Sequence, residues 1–332
     1  MNKKLFAMLR NTGFACAMVA ASVAGSLAVA EDAWPTQSVR LIVPFAPGGA
    51  TDTLARLLAK ELTVDLKQAV VVENKPGAGG NIGSNVVAKS TPNGYTLLFG
   101  AAGNISVNPS LFTNMPYNPE TDLAPVAVVA QSMNILVVPA ALPVNSVADL
   151  IQYAKQHPDT TNFGSSGIGG TTHLAGELFN AMAGTHITHV PYQGSGPAMI
   201  DLVAGRVQLM FDNLPSAMPH VQRGELRALG VTGSERSAQL PNVPTIAETG
   251  LPGFEATTWF GVFAPAKTPN TILDKLNNTI NRIMQQPAEQ SMLQSLGAYF
   301  KPMTRPEFQT FVKKDTDKWA KVIKTAGIKI HY

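Results

Sequence analysis

The chain has 332 residues, of which 14% are charged and 45% hydrophobic, with a formal net charge of +3. A charged fraction so far below the usual value of about 25% implies much buried surface, as in parallel sheets covered on both faces. The excess positive charge is Lys3, Lys4 and Arg10; without residues 1–30 the chain has 22 bases against 22 acids, so its basic balance makes no case for a nucleic-acid partner.

Residues 1–30 read as an export signal peptide. A basic start is followed by a small, apolar stretch from Thr12 to Ala28, and Ala28-Val29-Ala30 fits a small-x-small cleavage site. Cleavage after Ala30 and a periplasmic location are expected. A membrane anchor would need about 20 strongly apolar residues, and this run is broken by Ser22, Gly25 and Ser26. Cys16, the only cysteine, lies inside the signal, so the exported chain has no disulfide and its stability rests on its core. About 300 residues remain, enough for two domains.

Strand and helix signals then alternate. Residues 39–43 read as a buried strand, and Leu54, Leu57, Leu58 and Leu62 form one apolar helix face. Residues 69–73 are the next strand, 74–83 a glycine-rich loop leading into a helix near 84–90, and 95–100 a third strand. This β-α-β-α-β order predicts a parallel sheet with helices on both faces. A second unit repeats the grammar. It has strands at 134–138, 161–164, 187–191, 207–211 and 226–232, and helices at 147–156 (with Ser146 as N-cap), 172–183 and 198–204. A strand at 259–264 and helices near 270–285, 288–296 and 306–326 complete the chain. Segments 126–132 and 250–259 are candidate crossovers. A chain that leaves one domain, builds a second and returns has a two-segment hinge suited to closure on a ligand.

Two turns carry the chemistry, each running from a strand into a helix. The first is Val43-Pro44-Phe45-Ala46-Pro47-Gly48-Gly49-Ala50-Thr51-Asp52, with Thr51 or Asp52 as helix cap. The second is Gly164-Ser165-Ser166-Gly167-Ile168-Gly169-Gly170-Thr171-Thr172-His173. A helix start offers unpaired N–H groups and a positive dipole end, and glycines let a ligand approach the backbone. Neither turn contains Arg or Lys. Neutral donors of this kind suit a carboxylate. Four to six hydrogen bonds of roughly 1.5–3 kcal/mol each, less ordering and desolvation, are compatible with about micromolar binding.

Other chemistries find little support. Gly164-Ser165-Ser166-Gly167 and Gly194-Ser195-Gly196 both miss the G-x-S-x-G spacing of a nucleophile elbow. No phosphate-binding G-x-x-x-x-G-K-[ST] is present, and residues 77–83 lack the last glycine of a dinucleotide loop. His186 and His189, three apart on a strand end, face opposite ways. No cofactor, metal site or catalytic residue is expected. A secreted hydrolase in the same cleft would need Ser165 or Ser166 paired with His173. His173 at a helix start bonds backbone or meets ligand; Asp212 caps the following helix or faces the cleft; Trp259-Phe260 packs a core or lines a wall.

The string from Pro44 to Asp52, with Ala55-Arg56, resembles the hallmark of the Bug, or tripartite tricarboxylate transporter, solute receptors. So do Val72-Glu73-Asn74-Lys75-Pro76-Gly77-Ala78-Gly79-Gly80, the Gly164–Gly167 turn with His173-Leu174 and Glu177-Leu178, and Val243-Pro244-Thr245 with Trp259 and Gly261. The resemblance runs in order along the exported chain. It implies a two-lobed α/β fold of the type 2 periplasmic-binding class, with two crossovers and a central cleft. Lobe 1 is expected at 31–130 and 256–332, and lobe 2 at 131–255. It also implies a receptor, not an enzyme, that captures a small carboxylate, partly through ordered waters, and delivers it as a monomer to membrane permease subunits. A ligand sensor for a membrane signalling partner is the other reading of the same cleft. Phe45, Gly49, Ala50, Thr51 and Asp52 would form one wall, and Ser165, Ser166, Gly169, Gly170, Thr171 and His173 the other. Asn81, Ser84 and Asp212 would select the ligand's far end, and Asp52 would pair with a ligand amine or only cap its helix. Relatives commonly carry Ser or Thr where this chain has Gly170, which leaves Thr171 and Thr172 as substitute hydroxyls.

Overall fold

The computed structural model describes residues 34–326. The signal-peptide and cleavage-site expectations, with Cys16, lie outside the described residues. Residues 37–326 form one compact unit.

Its centre is two sheets that share one long strand. In the first, β1 (Val39–Val43) lies between β2 (Val70–Asn74) and β3 (Thr96–Ala101), parallel to both. β9 (Thr257–Pro265) then pairs antiparallel with β3 and with β4 (Leu123–Pro139). In the second, β5 (Asn162–Ser165) lies between β6 (Thr188–Pro191) and β7 (Leu209–Asn213), again parallel to both. β7 and β8 (Leu226–Val231) both pair antiparallel with β4. Each sheet therefore contains the expected parallel trio, extended by antiparallel strands.

β4 gives one expectation an unexpected form. Residues 126–132, read as a crossover connection, lie inside this 17-residue strand, which passes from the first sheet into the second. Val126 to Ala130 are fully buried, so no polar face breaks the run and no alternation marks it as strand.

The helices follow from the turns. α1 (Ala50–Leu66) succeeds β1 and buries Leu54, Leu58 and Leu62. α2 (Asn81–Ala88) succeeds β2 through a one-turn 3₁₀ segment, Ala78–Gly80. α3 (Asn108–Leu111) and α4 (Pro119–Asp122) are single turns before β4. α5 (Val147–Gln156) starts as expected at Ser146, whose hydroxyl accepts the Asp149 N–H at 3.0 Å. α6 (Thr171–Ala183), α7 (Ser195–Val203) and α8 (Leu214–Gln222) follow β5, β6 and β7. α9 (Asn270–Met284), α10 (Pro287–Ser295), the two-residue β10 (Ala298–Tyr299) on β4, and α11 (Arg305–Ala326) close the chain. Trp259 proves to be core: its ring meets Phe263, Phe308 and Phe311, and its Nε1 donates to Asp315 at 2.7 Å. Gly261 makes room there, since a Cβ would sit 2.5 Å from the Phe308 ring.

Both glycine-rich turns follow the middle strand of a parallel trio. Where neighbouring connections leave a sheet in opposite directions, a crevice opens at the strand's carboxyl end. The topology thus gives the two turns equivalent places, one in each sheet.

Candidate functional site

The two turns face each other across a cavity of about 20 Å³. Its lining is Phe45, Ala46, Gly49, Ala50, Thr51, Ala101, Gly103, Ser166, Gly170, Thr171, Ser195, Asn213 and Thr258. No charged side chain is among them. Four helices begin here: α1 at Gly49, α6 at Gly170, α7 at Gly194 and α8 at Asn213, and none of the four N-caps makes a side-chain capping hydrogen bond. At an ordinary helix start a Ser, Thr, Asp or Asn side chain takes up one of the orphan N–H groups. Here those donors, and the positive ends of four helix dipoles, remain for a guest.

The walls meet by backbone. The Ala46 N–H donates to the Gln193 carbonyl at 2.7 Å. A Cβ on Gly49 would lie 3.1 Å from Ser195 Cβ, one on Gly103 would lie 2.9 Å from Gly170 Cα, and one on Gly79 would lie 2.2 Å from the Ile168 carbonyl oxygen. These glycines allow the two sides to close on each other, in addition to exposing donors. The cavity holds about one water molecule, so any four-carbon acid needs the sides to part. An adjoining space of about 200 Å³ continues past Phe45 and Ser166 along Gly77–Gly80, Pro191 and Tyr192.

Seven of the sequence-predicted residues line the cavity: Phe45, Gly49, Ala50, Thr51, Ser166, Gly170 and Thr171. The other seven stand behind it. Asp52 is occupied by partners within the protein. It accepts from the Gly48 N–H at 3.1 Å, from Arg56 Nε at 3.0 Å and from Asn74 Nδ2 at 2.9 Å. It does not cap α1 at the N-cap position; it reaches back from the first turn to hold Gly48, as a capping-box acid does. Burial pushes its carboxyl up, but Arg56, Asn74 and the Gly48 N–H outweigh that and hold it below its ordinary 3.8.

Asn81 and Ser84 are also bonded within the protein. Asn81 Oδ1 accepts from Asn108 at 2.7 Å; Ser84 Oγ donates to the Gly80 carbonyl and accepts from Asn104, each at 2.9 Å. They brace the 79–80 turn against the segment carrying Gly103. Gly169 faces Asn108, whose Oδ1 a Cβ would meet at 2.1 Å.

In the second wall, Ser166 Oγ pairs with Thr172 Oγ1 at 2.9 Å, and Thr172 also accepts the Ser166 N–H. Of the two substitute hydroxyls, Thr171 lines the cavity and Thr172 is tied into the turn. The serine–histidine pair proposed for a hydrolase does not form. Ser165 Oγ lies 2.6 Å from His189 Nε2, and His173 instead accepts the Gly169 N–H at Nδ1, 3.3 Å away. Ser165 is fully buried, so no nucleophile reaches the cavity from this pair. His189 stacks on His173 with ring centroids 4.0 Å apart. Burial, and then the His173 ring, push its pKa down to about 3, which keeps it neutral.

Asp212 lies within β7, with no exposed surface. The Ser195 hydroxyl donates to its Oδ1 at 2.6 Å, while its Oδ2 has no hydrogen-bond partner. Burial raises its pKa to about 6 against the pull of Ser195 and of Ser216, whose hydroxyl falls short of hydrogen-bond geometry. The cavity residues that sequence reasoning missed are Ala46, Ala101, Gly103, Ser195, Asn213 and Thr258. Gly194-Ser195-Gly196 is a third strand-to-helix turn of glycine and hydroxyl, and the logic applied to the first two would have found it.

Two α/β sheets joined through one shared strand, with uncapped helix starts converging on a cleft, define a two-lobed solute-binding receptor. The family model described as "Tripartite tricarboxylate transporter family receptor" matches residues 54–328. The chain belongs to that family. It is 39% identical to Protein BugT of Bordetella pertussis over 303 residues, 91% of this chain and 93% of that protein. Among solved structures, R. palustris Rpa4515 with adipate has a TM-score of 0.87 at 44% identity, covering 89% of this chain and 99% of that one. The periplasmic binding protein BugD has a TM-score of 0.86 at 36% identity, with 89% and 99% coverage.

Proposed function

We propose that this protein is a periplasmic receptor that captures a small carboxylate between its lobes and hands it, as a monomer, to membrane permease subunits. The division into lobes at 31–130 with 256–332, and at 131–255, belongs to the same proposal. One observation carries it: four helix N-termini, none with a side-chain cap, converge on a cavity without a charged side chain. Such a site neutralises an anion with peptide dipoles and needs no counter-cation. The carboxylate meets Gly49–Thr51 from one side and Gly170–Thr171 from the other. The adipate held by the R. palustris relative is an acid of the class that these donors suit. Because its relatives are receptors, Ser165 is sealed from the cavity and the Ser166 hydroxyl pairs with Thr172 rather than with His173, the protein binds its ligand without turning it over.

The test is a thermal-shift screen with a panel of mono-, di- and tricarboxylic acids, followed by X-ray scattering with the best binder. Saturable stabilisation, a smaller radius of gyration and no consumption of the acid are expected. Gly49→Val should abolish the ligand shift and the compaction while leaving the ligand-free melting temperature within a few degrees. Gly49 has an ordinary φ of −92° and its Cβ direction meets only Ser195, so the valine acts on closure. A ligand shift that survives in Gly49→Val, or a panel without a single binder, would count decisively against this reading.

A further inference from the structure

Beside the donors of the cavity stand two side chains, each with a proton committed to a buried partner. Ser195 lines the cavity, and its hydroxyl proton goes to Asp212 Oδ1 at 2.6 Å. Asp212 is completely buried and its other oxygen has no partner, so Ser195 is the side chain it draws on. An ionised carboxylate only accepts hydrogen bonds. Its neighbour fixes the direction of that bond, and the Ser195 lone pairs are what the cavity meets.

Asn213 is set in the same sense by a separate chain. Asn134 is buried in β4, and its Nδ2 donates to the Thr171 carbonyl, which can only accept. That assigns the Asn134 amide, so its Oδ1 is the atom that accepts Asn213 Nδ2 at 2.6 Å. The Asn213 carbonyl oxygen is then left free to accept in the cavity that Asn213 lines. Two acceptors, each oriented by an anchored partner, thus sit in a chamber otherwise built from N–H and hydroxyl donors.

We propose that Ser195 and Asn213, held as acceptors by Asp212 and Asn134, select for a hydrogen-bond donor on the ligand, so that the cleft prefers acids carrying a hydroxyl or ammonium group over matched acids carrying neither. The inference rests on the carboxylate reading above and specifies its substrate class. A site built to hydrogen-bond a donor rejects the analogue without it, because its buried acceptors are left unpaired. An ammonium group also gains from the field of the Asp212 charge behind Ser195, which a plain acid cannot use.

Isothermal titration at pH 7.5, where Asp212 is ionised, compares succinate with malate and aspartate, and 3-phenylpropionate with phenyllactate and phenylalanine. The hydroxyl and ammonium members separate the two donor types. At least one donor-bearing acid should bind about tenfold or more tightly than its plain partner. Ser195→Ala should bring that ratio to within about twofold, and Asn213→Ala should reduce the ratio in the same direction. Ratios within twofold in the wild type overturn the proposal by themselves, whether or not the variants fold. A ratio that persists in Ser195→Ala overturns it too. If plain acids bind without preference, this inference falls and the carboxylate reading stands; if no acid in a broad panel binds, both fall.

Discussion

Behind the first wall, Asp52 is saturated: Gly48, Arg56 and Asn74 all bond to it, and Arg56 carries the opposite charge 2.9 Å away. Behind the second, Asp212 has the Ser195 hydroxyl on one oxygen and, among the described residues, no partner in hydrogen-bond geometry on the other and no ion pair. Both carboxyls are buried, yet their pKa values move in opposite directions. The difference separates two jobs. Asp52 fastens the start of α1 so that its free N–H groups stay aimed at the cavity. Asp212 is a charge kept in a place that does not suit it, and such sites are where function rather than stability fixes a residue.

The contrast breaks most visibly at Asp212. A carboxyl whose folded pKa is raised from 3.8 to about 6 binds more protons in the native than in the unfolded state between those values. Stability therefore falls as pH rises through that window, and the penalty is complete above about pH 6. At about 1.4 kcal/mol per pKa unit, the cost at neutral pH is about 3 kcal/mol. Asp212→Asn should raise the stability of the ligand-free protein by about that amount at pH 7.5, with the gain vanishing near pH 4. The amide oxygen can still accept from Ser195. Urea unfolding at several pH values reads it directly; a variant no more stable than wild type at pH 7.5 would show that Asp212 costs nothing.

How much of this was legible before the structure follows from what is local. The two principal turns were visible because strand pattern, prolines, glycines and hydroxyls are all consecutive in sequence. Asp52 was visible as a candidate, but its partner Asn74 comes from β2 and only the register Val43–Asn74 of β1 on β2 brings it there. β4 was half hidden because a strand covered on both faces shows no period of two. Asn213 and Gly103 are hidden in the sequence because their membership of the cavity is made by closure across the two sheets, whereas Ser195 sits in a local glycine turn and is legible there. The histidines show the same limit: strand geometry separates His186 from His189, but nothing in the sequence announces that His189 stacks on His173 from another element.

The smaller effect, opposite in sign, belongs to Asp52. Its folded pKa lies below its ordinary 3.8, so the stability it contributes is present above that value and is lost as pH falls through the folded pKa. Asp52→Asn keeps the shape but removes the charge, weakening the bonds from Arg56 and Gly48. Arg56 is half exposed, with 52% of its side chain open to solvent, so screening limits its share. A loss of about 1 kcal/mol at pH 7.5 is expected, shrinking as the pH is lowered below 3.8, where wild-type Asp52 is itself being protonated. Measured beside Asp212→Asn in the same buffers, it gives two curves that deviate from wild type in opposite directions and in adjacent pH windows. If both variants shift stability the same way at pH 7.5, the two aspartates do not divide the work as their partners imply, and the fastening role of Asp52 would have to be sought in the ligand complex instead.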